Sequence, residues 1–318
     1  MEAWLHGFAF PHRVVELARR AEDWGFDGLF VADSQNLNAE VWIELALAGA
    51  ATERLRLGPG VTNPATRHPA VSASAAATLH TETGGRAVLG LGRGDSALTQ
   101  IGRRPVPPAE LEAALEAVQS YLSGGIAWIG ELDLPKVPVA VAATGPHVIE
   151  LAARHAERID FTVGAEPDRV RWAIETARAA AGDREVSLGA FLNVAVHEDR
   201  AVARDLVRGS TALFARFATE GAPPDGLSEV TRAGIERLAR DYDESRHGQA
   251  AAAHAQALED DFIDRFALAG PPGEVGQRVS EVMALGLDRV IVVPGSLDAD
   301  PALVQDTIAG FARAVISR

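Results

Sequence analysis

The sequence predicts a (β/α)8 TIM barrel with a helical insertion after the seventh strand. Eight short apolar runs are spread along its 318 residues, nearly every one followed by a segment of helical period. The runs are continuously apolar rather than alternating, as expected of parallel strands covered on both faces. One long polar, helical stretch, about 199–266, stands outside this rhythm and reads as an insertion within a single domain spanning 1–318.

The first strand lies within 1–10, where Trp4, Leu5, Phe8 and Phe10 alternate loosely, and Pro11 suits the first turn of a helix. That helix covers 14–24, with Gly25 placed to cap it. The second strand, 27–32, runs into the turn Asp33-Ser34-Gln35-Asn36, and a helix follows over 39–51. A third strand at 54–57 leads through a Gly/Pro-rich loop to a helix at 69–83, which stops at Gly84-Gly85. Strand four is 86–91 and its helix 107–123; strand five is 137–143 and its helix 146–155. Strand six is 159–163 and its helix 168–181. Strand seven, 186–196, is long enough to contain an irregularity. After the insertion, with turns near 221–226 and Gly248, Gly270-Pro271-Pro272-Gly273 restarts the barrel. Strand eight is 288–293, and a helix over 301–316 closes the chain. Within the insertion Tyr242, Arg246 and His247 are placed to reach a site at the barrel mouth, although each alone fits a packed or solvated helix position.

Composition excludes several classes. A formal charge of −14 argues against nucleic acid or an anionic membrane as partner. No cysteine is present, which removes disulfides, thiolate nucleophiles and zinc–thiolate centres. The one lysine, Lys136, precedes strand five and so falls on the face opposite an active site, which disfavours Schiff-base chemistry. No Gly-Lys-Ser/Thr phosphate loop, Gly-x-Ser-x-Gly elbow or metal-binding histidine spacing occurs, so no metal is expected. With no secretory leader pattern and no apolar run near the roughly 20 residues of a bilayer span, a cytoplasmic location is expected.

In this fold the chemistry sits on the loops after the strands. The third loop, Gly58-Pro59-Gly60-Val61-Thr62-Asn63-Pro64, combines a constrained backbone with uncharged polar groups. The fourth, Gly90-Leu91-Gly92-Arg93-Gly94-Asp95-Ser96, does not fit the dinucleotide fingerprint and reads as a close-approach loop. Asp95 is its acid, a candidate for proton transfer or, with Ser96, for helix capping. Asp33 carries the same ambiguity, and Gln35 follows it. In Ala143-Thr144-Gly145-Pro146-His147, a strand end, a hydroxyl and a helix start converge as an anion site. Gly164-Ala165-Glu166-Pro167 repeats the geometry, with Glu166 repelling phosphate unless turned away.

Together these loops resemble the luciferase-like monooxygenase superfamily, specifically its coenzyme F420-dependent branch, the methylenetetrahydromethanopterin-reductase-like oxidoreductases. The pieces that carry the resemblance are Asp33-Ser34-Gln35, the Gly58–Pro64 loop, Thr66-Arg67-His68-Pro69, Gly84-Gly85-Arg86, Gly92-Arg93-Gly94-Asp95-Ser96 and Ala143-Thr144-Gly145-Pro146, in the family's order. The resemblance implies a barrel that binds coenzyme F420, or flavin mononucleotide (FMN) in sister branches, and passes a hydride to or from a small organic substrate. It implies a cis peptide at Gly60–Val61 that bulges against the cofactor ring, with Thr62 and Asn63 nearby. By the same match Ser34, Gly92, Arg93, Gly94, Ala143, Thr144, Gly145, Pro146, Gly164 and Ala165 bind the cofactor. Ser34 stands where many relatives carry a histidine, which leaves Asp33, Gln35 and Asp95 as the candidate catalytic groups. Homodimers are common among such relatives, and the Ala-rich second and third helices offer packing faces. The alternatives are an FMN-dependent monooxygenase and a non-catalytic cofactor-binding barrel.

Overall fold

The structure, a computed structural model, describes residues 1–219 and 227–317; the turns expected near 221–226 lie outside the described residues. In chain order the first half runs β1 (Glu2–Phe8), α1 (Val14–Asp23), β2 (Gly28–Ala32), α2 (Val41–Ala50), β3 (Arg56–Pro59), α3 (Pro69–Glu82) and β4 (Leu89–Leu91). Two short helices flank a longer one before the next strand: α4 (Asp95–Thr99), α5 (Pro108–Ser120) and α6 (Ala127–Gly130). Then come β5 (Val139–Ala143), α7 (Pro146–His155), β6 (Arg158–Phe161), α8 (Pro167–Ala181) and β7 (Ser187–Val196). The helical insertion comprises α9 (Arg200–Arg216), α10 (Glu229–Asp241), α11 (Ala253–Gln256) and α12 (Asp260–Phe266). The chain ends with β8 (Leu268–Gly270), α13 (Pro272–Met283), β9 (Arg289–Val293) and α14 (Pro301–Phe311). Among the described residues no helix is long and apolar enough to cross a membrane.

Eight parallel strands form the wall, in the order β3-β2-β1-β9-β7-β6-β5-β4. Two bridges, Leu57 to Ala87 and Thr62 to Leu91, close the ring between β3 and β4. That seam needs glycine. A Cβ on Gly58 would stand 2.0 Å from the Val88 carbonyl oxygen, and one on Gly90 2.2 Å from that of Pro59. The expected eighth strand is β9, and β8 is an additional one that pairs only with the end of β7. β7 therefore serves three partners: Ser187 to Ala190 pair with β6 and Gly189 to Asn193 with β9, while Val194 to Val196 pair with β8. This is the irregularity that the length of the run foreshadowed.

The barrel interior is layered, and the layering decides where a ligand can go. At the amino end Glu2 bridges Arg56 (2.8 Å) and Arg158 (2.9 Å), and Arg158 lies over the Trp4 ring at 4.7 Å. Burial would raise the Glu2 carboxyl, but the two arginines hold it down to about 2. Beside this pair the fully buried Arg289 donates to Asp160 at 2.6 Å. Trp4, Phe30 and Phe191 stack above this charged floor. The cavity lies at the carboxyl end, lined by the loops after the strands.

Over that end lies the insertion. Its longest helix, α9, packs on β7 and β8, and Ser296 in the loop after β9 fastens it: Gly209 N donates to Ser296 Oγ at 2.9 Å. Arg204 ties α9 to α12 through Asp260 and Asp264. The roof is thus anchored to the barrel through Ser296 and braced internally by Arg204.

Candidate functional site

Beneath this roof is a cavity of about 1400 Å³. The second loop contributes Asp33 and Ser34 to its lining, the third Gly60 and Val61, the fourth residues 92–95, and the fifth Thr144, Gly145 and Pro146. Gln35, Thr62, Asn63, Ala143, Gly164 and Ala165 do not line it. Thr62 and Asn63 are fully buried one layer behind, where Asn63 Oδ1 accepts from the amides of Ala65 (3.1 Å) and Thr66 (3.0 Å) and shapes the loop. Gly164 and Ala165 pack under Phe266 of α12; the Ala165 amide donates to the Phe266 carbonyl at 2.8 Å.

The Gly60–Val61 peptide is cis. Below it His6 points inward from β1, its Nε2 at 3.0 Å from the Gly60 carbonyl oxygen. Burial pushes this imidazole down to about 4, against the opposing pull of that hydrogen bond. Neutral His6 therefore donates from Nε2, and its Nδ1 has no partner among the described residues. From the side, a Cβ on Gly92 would meet the Val61 side chain at 2.7 Å, so glycine there makes room for the bulge.

Both predicted acids are engaged. Asp33 is paired with Arg67, which also reaches Glu40, and accepts from Gln35 Nε2 at 2.7 Å. Burial raises the Asp33 carboxyl, while Thr62 and Arg67 pull the other way. Asp95 is held by Arg216 of α9 at 2.8 Å, and Arg216 also binds Glu244 at 2.7 Å through Nε. The Asp95 tie spans the cavity lip from the fourth loop to the roof.

A different residue dominates the side under β5 and β6. Arg169, in the first turn of α8, lines the cavity yet is only 1% exposed. Its Nε and Nη1 have no hydrogen-bond partner among the described residues. Burial lowers it to about 10, and the nearby charge of Glu166 opposes that shift. Glu166 itself is turned to the roof, where its carboxylate accepts from Thr231 Oγ1 at 2.6 Å and stands 3.6 Å from Arg265. Thr144 and Thr162, which line the same cavity, share a hydrogen bond, and no side-chain cap is made at Gly145, the N-cap of α7, among the described residues. A Cβ on Gly145 would meet nothing within 4 Å. Open backbone, an uncapped helix start and a buried cation with two nitrogens unpaired among the described residues make this part of the lining a candidate anion site.

The roof adds one more group. His247 lines the cavity, with Nε2 at 2.8 Å from Ser96 Oγ and Nδ1 at 3.0 Å from the Tyr242 hydroxyl. Arg246 faces outward and binds Gln249 at 2.7 Å.

Comparison with known proteins is decisive about kinship. The family model for luciferase-like monooxygenases matches residues 3–289. The chain belongs to that family. It is 30% identical, over 85% of this chain and 86% of the relative, to a 5,10-methylenetetrahydromethanopterin reductase of Archaeoglobus fulgidus. Its fold is similar to that of the coenzyme F420-dependent tetrahydromethanopterin reductase from Methanopyrus kandleri, with a TM-score of 0.78, 24% identity and coverage of 99% and 98% of the two chains. It is also similar to an F420-dependent secondary alcohol dehydrogenase solved with an F420–acetone adduct, with a TM-score of 0.69, 19% identity and 99% coverage of both chains.

For a luciferase-like barrel, the residues that sequence reasoning passed over are His6, Arg169 and Ser96. His6 alternates with Trp4 and Phe8, a period-two pattern that aims all three inward. Arg169 carried a clearer signal, because a cation in the first turn of a helix opposes the macrodipole and calls for a countercharge. Ser96 follows Asp95 in a loop suited to helix capping, and nothing local to it points to His247, 151 positions on.

Proposed function

We propose that this protein is a coenzyme F420-dependent oxidoreductase that transfers a hydride between the cofactor and a small organic substrate in the same cavity. The observation that carries the reading is Arg169. A buried guanidinium whose Nε and Nη1 have no hydrogen-bond partner among the described residues is costly, and an anion delivered by the ligand removes the cost. A cofactor phosphate supplies that anion. Thr144, Gly145, the first turn of α7 and Arg169 would hold it, while the Gly60–Val61 bulge, with Val61 and Gly92, would meet the ring. The cofactor brings the hydride chemistry, and the barrel supplies position and electrostatics. Family membership and the F420-dependent enzymes that share the fold support this choice over FMN. Phe191, Phe214, Phe217 and Leu213 leave an apolar volume for the substrate under the roof.

A homodimer belongs to the same reading. Ile43 and Leu47 of α2 and Val71 of α3 are exposed on two helices that pack side by side, an apolar face suited to a second copy.

The test is a fluorescence titration of the wild type and Arg169→Gln with oxidised coenzyme F420 and, separately, FMN. Saturable binding with preference for the deazaflavin is expected. The variant should bind it roughly 10- to 100-fold more weakly, the value of hydrogen bonds to a charged group, with no loss of thermal stability. Preference for FMN would overturn the cofactor assignment, and unchanged binding by the variant would overturn the role of Arg169.

A further inference from the structure

Resting on the proposed function, we infer that Ser96, backed by His247, donates and accepts the proton at the substrate's oxygen, and that the substrate is a carbonyl compound or the corresponding alcohol. The geometry is that of an activated hydroxyl. Ser96 and His247 both line the cavity and stand 2.8 Å apart, Oγ to Nε2. On the far side of the imidazole, Nδ1 lies 3.0 Å from the Tyr242 hydroxyl and 3.4 Å from Glu244 Oε2. Glu244 is fixed by Arg216 at 2.7 Å, and Arg216 lies 5.0 Å from the centre of the Tyr242 ring. Nucleophile or acid, base, and a third group that orients the base form the arrangement by which a protein moves a proton through a hydroxyl.

In the tautomer that keeps hydrogen on Nδ1, that N–H donates to the Tyr242 oxygen, and Glu244 supplies the countercharge when Nε2 is also protonated. Reduction of a carbonyl then balances. A bound reduced deazaflavin would supply the hydride, two electrons and one hydrogen, for the new C–H bond. The C=O π pair moves onto oxygen, which takes the Ser96 hydrogen. Imidazolium His247 passes its Nε2 proton to Ser96 Oγ and is left neutral, to be recharged from solvent. Oxidation of an alcohol runs the same transfers backwards. An iminium substrate would not use this relay, because hydride addition turns it directly into a neutral amine. The presence of a relay of O–H and N–H groups, in a cavity that Phe191, Phe214 and Leu297 also line, therefore selects a carbonyl with apolar substituents.

The experiment measures F420-dependent reduction of acetone, cyclohexanone and benzaldehyde, and oxidation of propan-2-ol and cyclohexanol, by the wild type, Ser96→Ala, Ser96→Thr and His247→Gln. Deazaflavin affinity of each protein is measured by fluorescence in parallel. The wild type should turn over at least one of these pairs with a solvent deuterium isotope effect on kcat. Ser96→Ala and His247→Gln should lose on the order of 100-fold or more in kcat, as removal of a general acid does, with cofactor affinity retained. Ser96→Thr should recover most of the rate. Wild-type kcat and isotope effect in Ser96→Ala would overturn the relay. A protein that binds the deazaflavin but turns over none of these compounds loses this inference alone; one that binds no deazaflavin loses the proposed function as well.

Discussion

His6 illustrates how one residue's surroundings set its chemistry. It is 8% exposed among Phe8, Phe191 and the Gly60 carbonyl, and burial holds it near 4, below its ordinary 6.5. Between those two values the unfolded chain binds a proton that the folded chain refuses. Its contribution is thus complete above about pH 6.5 and is lost as the pH falls toward 4. The difference is on the order of 3 kcal/mol. Urea unfolding at pH 7 and pH 4.5 should show this loss in the wild type, and His6→Gln should be less sensitive to the same change. Equal losses in both proteins would mean that His6 is not the titrating group. At this scale residue types were legible in the sequence but partners were not. Asp33 and Asp95 stood out as acids, yet Arg67 and Arg216, which engage them, lie 34 and 121 positions away.

The β3–β4 seam is the element most exposed to a single substitution. Gly58→Ala would push a methyl group against the backbone carbonyl of Val88, just before β4, where no side-chain rotation can relieve it, and should destabilise the protein by at least about 3 kcal/mol. Gly273→Ala, in the first turn of α13 where a Cβ meets nothing within 4 Å, is the control and should be neutral or slightly stabilising. Thermal unfolding of the two variants reads the contrast; similar midpoints would refute the close-contact argument. Continuous apolar runs made most strands and helices visible in the sequence. β8 was missed because three residues carry no period, and the strand exists only because β7 extends past the barrel wall. α4 and α6, of five and four residues, are likewise too short to show one.

For the whole molecule, the exposed apolar face of α2 and α3 predicts the assembly state. Wild-type protein should sediment as a dimer, and a double variant Ile43→Asp, Leu47→Asp should sediment as a folded monomer with an unchanged circular dichroism spectrum. A wild-type monomer at micromolar concentration would refute the assignment. The same charge substitutions leave the cavity untouched, since neither residue lines it.

The sequence by itself determined the barrel, the carboxyl-face location of the site, the glycine-rich loops and the family, because each rests on local periodicity or on motifs of consecutive residues. Tertiary structure alone decided which polar groups face the cavity with unmet bonding capacity. Among the described residues Arg169 Nε and Nη1 are left unpaired because Glu166 turns to Thr231 and Arg265, and Ser96 meets His247 because α9 to α12 fold back over the mouth. Burial and pairing are properties of groups far apart in the chain, and no local pattern encodes the distance between them.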